Sequence, residues 1–224
     1  MLDLKKISEL GFGDMLSFNA YVDKPQIRYV EDDILSAIKD IDMIEKYINH
    51  FVIRILITDI NEDTDTEIGF IRGKIIHSEE EMEDCNFYEV CDAHSQELEE
   101  MAEVLIEKNW NLKNEIVNER DTICYISEFY LNKKFRNLGI GSFVLENLAE
   151  LISYYSEQMI TKIIVLPEPL VKGKDGLLKA MSENNPEKEK LKEDLIKYYS
   201  ENGFKEIENS RYMIKNIKWF GGVV

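Results

Sequence analysis

The stretch "TICYISEFYLNKKFRNLGIGSFVLENLAELISYYS", Thr122 to Ser156, constrains the fold more than any other part of the chain. Thr122 to Leu131 is almost wholly β-branched, aromatic or aliphatic, which predicts a strand. Ile140 to Ser156 carries Phe143, Val144, Leu148, Leu151, Ile152 and Tyr155 at helical spacing, which predicts a helix with those side chains inward. Only a short polar turn separates the two, so the start of the helix must lie beside the end of the strand. The first turn of any helix has unpaired N–H groups and the positive end of the dipole. Gly139 and Gly141 leave that backbone bare, and Lys133, Lys134 and Arg136 bring positive charge to it. Together these suit a phosphate cradle. The same glycines also suit close packing of helix on strand, and the residues alone leave both open. The dipole is worth about 0.3–1 kcal/mol per exposed charge, so a diphosphate needs several N–H donors and the basic side chains acting together.

The flanking segments predict the rest of a mixed sheet. Glu31 to His50 has the apolar spacing of a helix behind an acidic start. Phe51 to Ile60 and Glu67 to His77 predict a β-hairpin around a turn at "NEDTD". After the acidic "SEEEMEDC", Ser95 to Lys108 predicts an amphipathic helix capped by Ser95, with Leu98, Met101, Ala102, Leu105 and Ile106 on one face. "TKIIVLP" is a short apolar strand. "LVKGKDGLLKAMSENNPEKE" reads as a loop with room for a short helix. "KLKEDLIKYYSENGF" is a helix stopped by Gly203, and "SRYMIKNIKWF" is a closing strand. A hairpin followed by strand, helix, strand, helix and strand predicts an α+β fold: one domain, residues 1–224, with helices on the faces of a mixed sheet.

Bulk composition narrows the function. Hydrophobic residues make up 44% of the chain, enough for a core, which excludes global disorder. The net charge is −17, which disfavours nucleic acid and anionic membranes as partners and tilts the expectation towards a cationic amine or basic peptide. Cys85, Cys91 and Cys124 show no metal-type spacing and read as reduced thiols. No apolar run approaches the roughly 18 residues that span a bilayer, and the first residues lack a signal-peptide pattern, so a cytoplasmic protein is expected. There is no GxxxxGK[ST] motif, and "GFGD" at Gly11 lacks the strand and third glycine of a dinucleotide fingerprint. "CDAHS" groups Cys91, Asp92, His94 and Ser95, but neighbours in sequence point in different directions and make a poor triad. His50, His77 and His94 are too scattered for a zinc site.

Arg136-x-x-Gly139-x-Gly141 behind a strand ending at Leu131 resembles the acetyl-CoA-binding motif of the GNAT superfamily of N-acetyltransferases, Q/R-x-x-G-x-G/A. "LIKYYSENGF", with Tyr198, Tyr199, Gly203 and Phe204, is similar to that family's later helix, and "KIIVL" lies between the two where the family has its splayed strand. The resemblance covers about Thr122 to Ile214. It implies the acyl-CoA N-acyltransferase fold, a mostly antiparallel central sheet flanked by helices, here with N-terminal and mid-chain additions, the latter at about 78–114. It implies that acetyl-CoA's diphosphate meets the backbone of Arg136, Asn137, Leu138, Gly139, Ile140, Gly141 and Ser142. It also implies that the pantetheine arm pairs along the strand, with the Leu131 backbone near the thioester. Tyr199 takes the family's general-acid position and Tyr198 a packing role, although an amphipathic helix also allows Tyr199 a place in the core. Glu128 stands where relatives keep an acid that binds or deprotonates the acceptor amine; a solvent-facing or ion-paired strand residue is the alternative. The implied function is transfer of acetyl from acetyl-CoA to a primary amine of a small molecule or peptide, by a monomer or homodimer. A silent acyl-CoA-binding module acting through a protein partner is the alternative. The insertion and the loop from Pro167 to Pro186 are where acceptor specificity is expected.

Overall fold

The computed structural model describes residues 15–22, 46–59, 64–173 and 177–219. In chain order the elements are β1 (Met15–Val22), β2 (Ile48–Asp59), β3 (Thr64–Ile76), α1 (Phe87–His94), α2 (Gln96–Leu105), β4 (Ile123–Leu131), α3 (Ile140–Ser156), β5 (Lys162–Val165), β6 (Leu170–Lys172), β7 (Leu178–Ala180), α4 (Lys188–Glu201), β8 (Lys205–Glu206) and β9 (Met213–Asn216). Seven strands form one sheet in the order β1-β2-β3-β4-β5-β9-β8, and β6 pairs with β7 apart from it. Every pairing in the large sheet is antiparallel except β4 with β5, which α3 connects. This is the mixed, mostly antiparallel α+β sheet that the sequence predicts.

Period-2 alternation sorts the strands onto two cores. On β2, Phe51, Ile53, Ile55 and Ile57 join Ile71, Ile75, Cys124 and Ile126 under α3 and α4. On the opposite face, Ile48, Ile76, Ile123 and Tyr125 pack under α1 and α2. The segment at 78–114 is therefore the cover of one face of the sheet. Ser95 caps α2 through the Leu98 N–H at 3.4 Å, and Leu98, Met101, Ala102 and Leu105 are buried. Burial of each large apolar side chain stabilises by about 1.5–3 kcal/mol, so these helices carry a substantial part of the core.

Several expectations need correction. The predicted helix from Glu31 falls largely outside the described residues, as does Gly11, but Ile48 to His50 opens β2, because these residues pair with Ile76 to Lys74. The hairpin strands are longer than predicted: β2 starts at Ile48, and β3 starts at Thr64. α1 lies between the acidic stretch and the helix predicted from Ser95, where the sequence led to no helix being expected; Asn86 and Glu89 form its capping box. Tyr155 is 41% exposed rather than inward, since Ile140, Val144, Leu145, Leu148 and Ile152 fill the buried stripe of α3. The segment after Pro167 holds no helix among the described residues. It is the β6–β7 hairpin, tethered to α4 by Lys188, whose ammonium reaches Glu168 at 2.5 Å and Glu183 at 2.6 Å.

Candidate active site

β4 and β5 pair only from Ile123–Lys162 to Ile126–Val165. Beyond that point β4 continues to Leu131 paired on its β3 side alone. The register with β3 also breaks here. Arg72 faces Glu128 and Gly73 faces Ile126, leaving Ser127 as the extra residue of a bulge. The Ser127 hydroxyl donates to the Arg72 carbonyl at 3.2 Å. A bulge bends its strand, so β4 diverges from β5 at Ser127 and its freed backbone edge runs towards the glycine turn.

That turn is built from its own residues. Asn132 accepts from the Lys134 N–H at 3.2 Å and starts a single 3-10 turn, Lys133–Phe135, with Phe135 anchored in the core. Asn137 at φ 61 and Gly139 at φ 79 then take left-handed backbone that lets the chain reverse into α3. Gly139 is the N-cap, and no side chain caps the helix. The first-turn N–H groups of α3 are thus left to a ligand, which is the condition an anion seat requires. Among the described residues, no carboxylate pairs with Lys133, Lys134 or Arg136, although the chain has far more acids than bases. These residues fit a diphosphate. Arg136 also folds back, its Nε donating to the Leu131 carbonyl at 2.9 Å, so that carbonyl, expected near the cofactor arm, already has a partner.

Gly141 answers to packing instead. A Cβ there would stand 2.4 Å from the Tyr198 hydroxyl and 3.4 Å from both Leu131 Cδ1 and Phe129 Cζ. The two glycines thus have different reasons: backbone conformation at Gly139, close approach of a phenol at Gly141.

The tyrosines exchange their expected places. Tyr199 is 5% exposed, in the core under α3 and α4, its ring edge-on to Tyr198 and Phe204. Burial pushes its phenol pKa well above the ordinary range. The i,i+1 neighbour on a helix points about 100° away, so Tyr198 sits only partly buried at the edge of that core. Tyr198 is the phenol that reaches the start of α3. Burial raises its pKa to about 12, partly offset by a hydrogen bond from the Ser142 side chain.

Glu128 is half-buried and accepts from Arg72 Nη1 at 3.2 Å. Phe129 and Leu131 face Gly141 and α3, so by strand alternation Glu128 and Tyr130 face the other side of the sheet. The sequence did not point to Arg72, and nothing in it marked the bulge at Ser127. A one-residue bulge leaves no compositional mark. Arg72 belongs to a hairpin whose register with β4 only the fold provides.

Elsewhere, Lys74 pairs with Glu97 at 2.8 Å, Glu97 accepts from the buried Tyr125 hydroxyl at 3.2 Å, and the His50 and His94 rings lie 5.1 Å apart. Among the described residues, no three His, Cys, Asp or Glu groups are placed to hold a metal ion. Burial pushes the Cys91 and Cys124 thiols up, so neither offers a reactive thiolate. Among the described residues, no helix is long and apolar enough to cross a membrane.

No protein-family model matches the chain, and no curated protein sequence does. Solved structures do resemble it in outline. The KacTA–DNA complex aligns over 90% of this chain and 93% of its own, with 10% identity and a TM-score of 0.41. AtaTR bound with AcCoA aligns over 89% and 93%, with 10% identity and a TM-score of 0.35. Arabidopsis thaliana NAA60 in complex with a bisubstrate analogue aligns over 96% and 93%, with 12% identity and a TM-score of 0.34.

Proposed function

We propose that this chain moves an acetyl group from acetyl-CoA to a primary amine. The observation that carries this is the break in the β4–β5 ladder. Pairing stops at Ile126–Val165, the Ser127 bulge bends β4, and the freed edge leads into an uncapped helix start at Gly139. An open strand edge suits an extended, amide-bearing arm. An uncapped helix start with Lys133, Lys134 and Arg136 nearby suits a diphosphate. Acetyl-CoA has both parts in that order.

The bound thioester supplies the acetyl carbon: the amine nitrogen bonds to it as the carbon–sulfur bond breaks, the amine loses a proton and the sulfur gains one. The chain's own groups fit the proton steps. Glu128, on the face of β4 away from α3, attracts the acceptor's ammonium and takes its proton directly or through water, and Arg72 fixes the carboxylate in place. We assign the acid role to Tyr198 rather than Tyr199. Its pKa near 12 keeps it protonated through the physiological range, and its hydroxyl lies against the first turn of α3. The partners we propose are acetyl-CoA and an amine.

Release of free thiol from acetyl-CoA, measured over a panel of amines and peptides, tests this. Amine-dependent release supports the proposal. Acetyl-CoA binding with no release from any amine or peptide supports the silent-module alternative, and absence of binding removes both.

A further inference from the structure

Six side chains form one connected patch around β4. Arg72 holds Glu128 at 3.2 Å and lies over the Phe70 ring at 4.4 Å. The Phe70 and Tyr130 ring centroids are 5.7 Å apart. Arg136 and Lys172 both lie over Tyr130, at 5.9 and 5.8 Å from its centroid. These last two come from different elements, the glycine turn and β6, yet converge on one ring. Among the described residues, no carboxylate pairs with either. Two cations drawn to one ring make its surroundings attractive to an anion. Of these six side chains Arg72, Arg136 and Lys172 are cationic and Glu128 is the one carboxylate, so together they carry the sign opposite to that of the whole chain.

We infer that the acceptor is an amine carrying its own anionic group, a carboxylate or a phosphate, which Lys172 binds while Glu128 meets the amine. This rests on the acetyltransferase assignment above. It reverses the expectation drawn from bulk charge, because a polyamine carries the same sign as these three cations. The cofactor's phosphates are the other anions within reach of Arg136. Lys172, however, sits on Tyr130, which shares the Glu128 face of β4, whereas Gly141 and α3 lie on the Phe129 and Leu131 face. That places Lys172 with the acceptor.

Thiol release from acetyl-CoA, compared for matched probes, provides the test: glycine against glycinamide, ethanolamine phosphate against ethanolamine, and spermidine alone. The anion-bearing member of at least one pair should show a kcat/KM about tenfold or more above the partner that lacks the anion, and which pair does so separates carboxylate from phosphate. Lys172→Gln should abolish that gap through the acceptor's KM and leave the KM of acetyl-CoA unchanged. If no probe is turned over, the same pairs are compared by thermal shift on CoA-saturated protein, where the anion-bearing member should stabilise more and Lys172→Gln should remove the difference. Equal results within both pairs, a preference for spermidine, or a Lys172→Gln defect confined to the KM of acetyl-CoA overturns the inference. Failure of acetyl-CoA to bind the wild type overturns the acetyltransferase assignment itself.

Discussion

At Gly141 the added Cβ of alanine would displace the Tyr198 hydroxyl, the far end of a movable side chain, so the fold itself has room to adjust. Gly141→Ala is therefore expected to change the melting temperature little while slowing turnover. Tyr198→Phe should lower turnover by roughly 10²–10⁴ if it is the acid. Because both changes act on one hydroxyl, the double variant should be no slower than Tyr198→Phe alone. Additive losses would separate the two residues, and a larger loss in Tyr199→Phe than in Tyr198→Phe would return the acid role to Tyr199. Gly139→Ala differs in kind: at φ 79 a Cβ costs about 1–2 kcal/mol whatever the space around it, measurable by urea unfolding. The sequence marked both glycines but could not divide them. Left-handed backbone at Gly139 was legible as glycine chemistry, whereas the contact at Gly141 depends on where α4 docks. The choice between Tyr198 and Tyr199 was likewise hidden, because it turns on the rotation of one helix.

Helices α1 and α2 behave as part of the core. Leu98→Ala should cost about 2–5 kcal/mol in urea unfolding, within a single transition for the whole sheet; a separate early transition would make the segment an appendage. His94 at the end of α1 supplies a pH signature. Burial, then Lys74 and His50, lower its pKa from 6.5 to about 4. The unfolded chain takes up this proton at higher pH than the fold does. The neutral form's contribution is thus fully present above about pH 6.5 and is lost as pH falls towards 4. Over that window the melting temperature of the wild type should fall more steeply than that of His94→Gln; parallel curves would contradict it. At this scale, α3, α4 and β4 were legible because each is long and strongly patterned. β6 and β7 were not, being three residues each with no period to read. α1 was missed because eight residues give little periodicity, although Asn86-x-x-Glu89 was a capping signal in plain view.

Over the whole molecule, charge and site pull in opposite directions. A field of −17 opposes a diphosphate, so on the proposed function local geometry has to overcome it: the uncapped start of α3, the cations that no carboxylate among the described residues neutralises, and the open edge of β4. The inferred acceptor therefore runs against the bulk charge, while the spacing of Arg136, Gly139 and Gly141 supports the proposed donor. Titration calorimetry with acetyl-CoA tests the central claim most directly. The account predicts saturable binding at one site, weakened about tenfold or more by Arg136→Ala. No saturable binding at millimolar acetyl-CoA, or equal binding by Arg136→Ala, would contradict it.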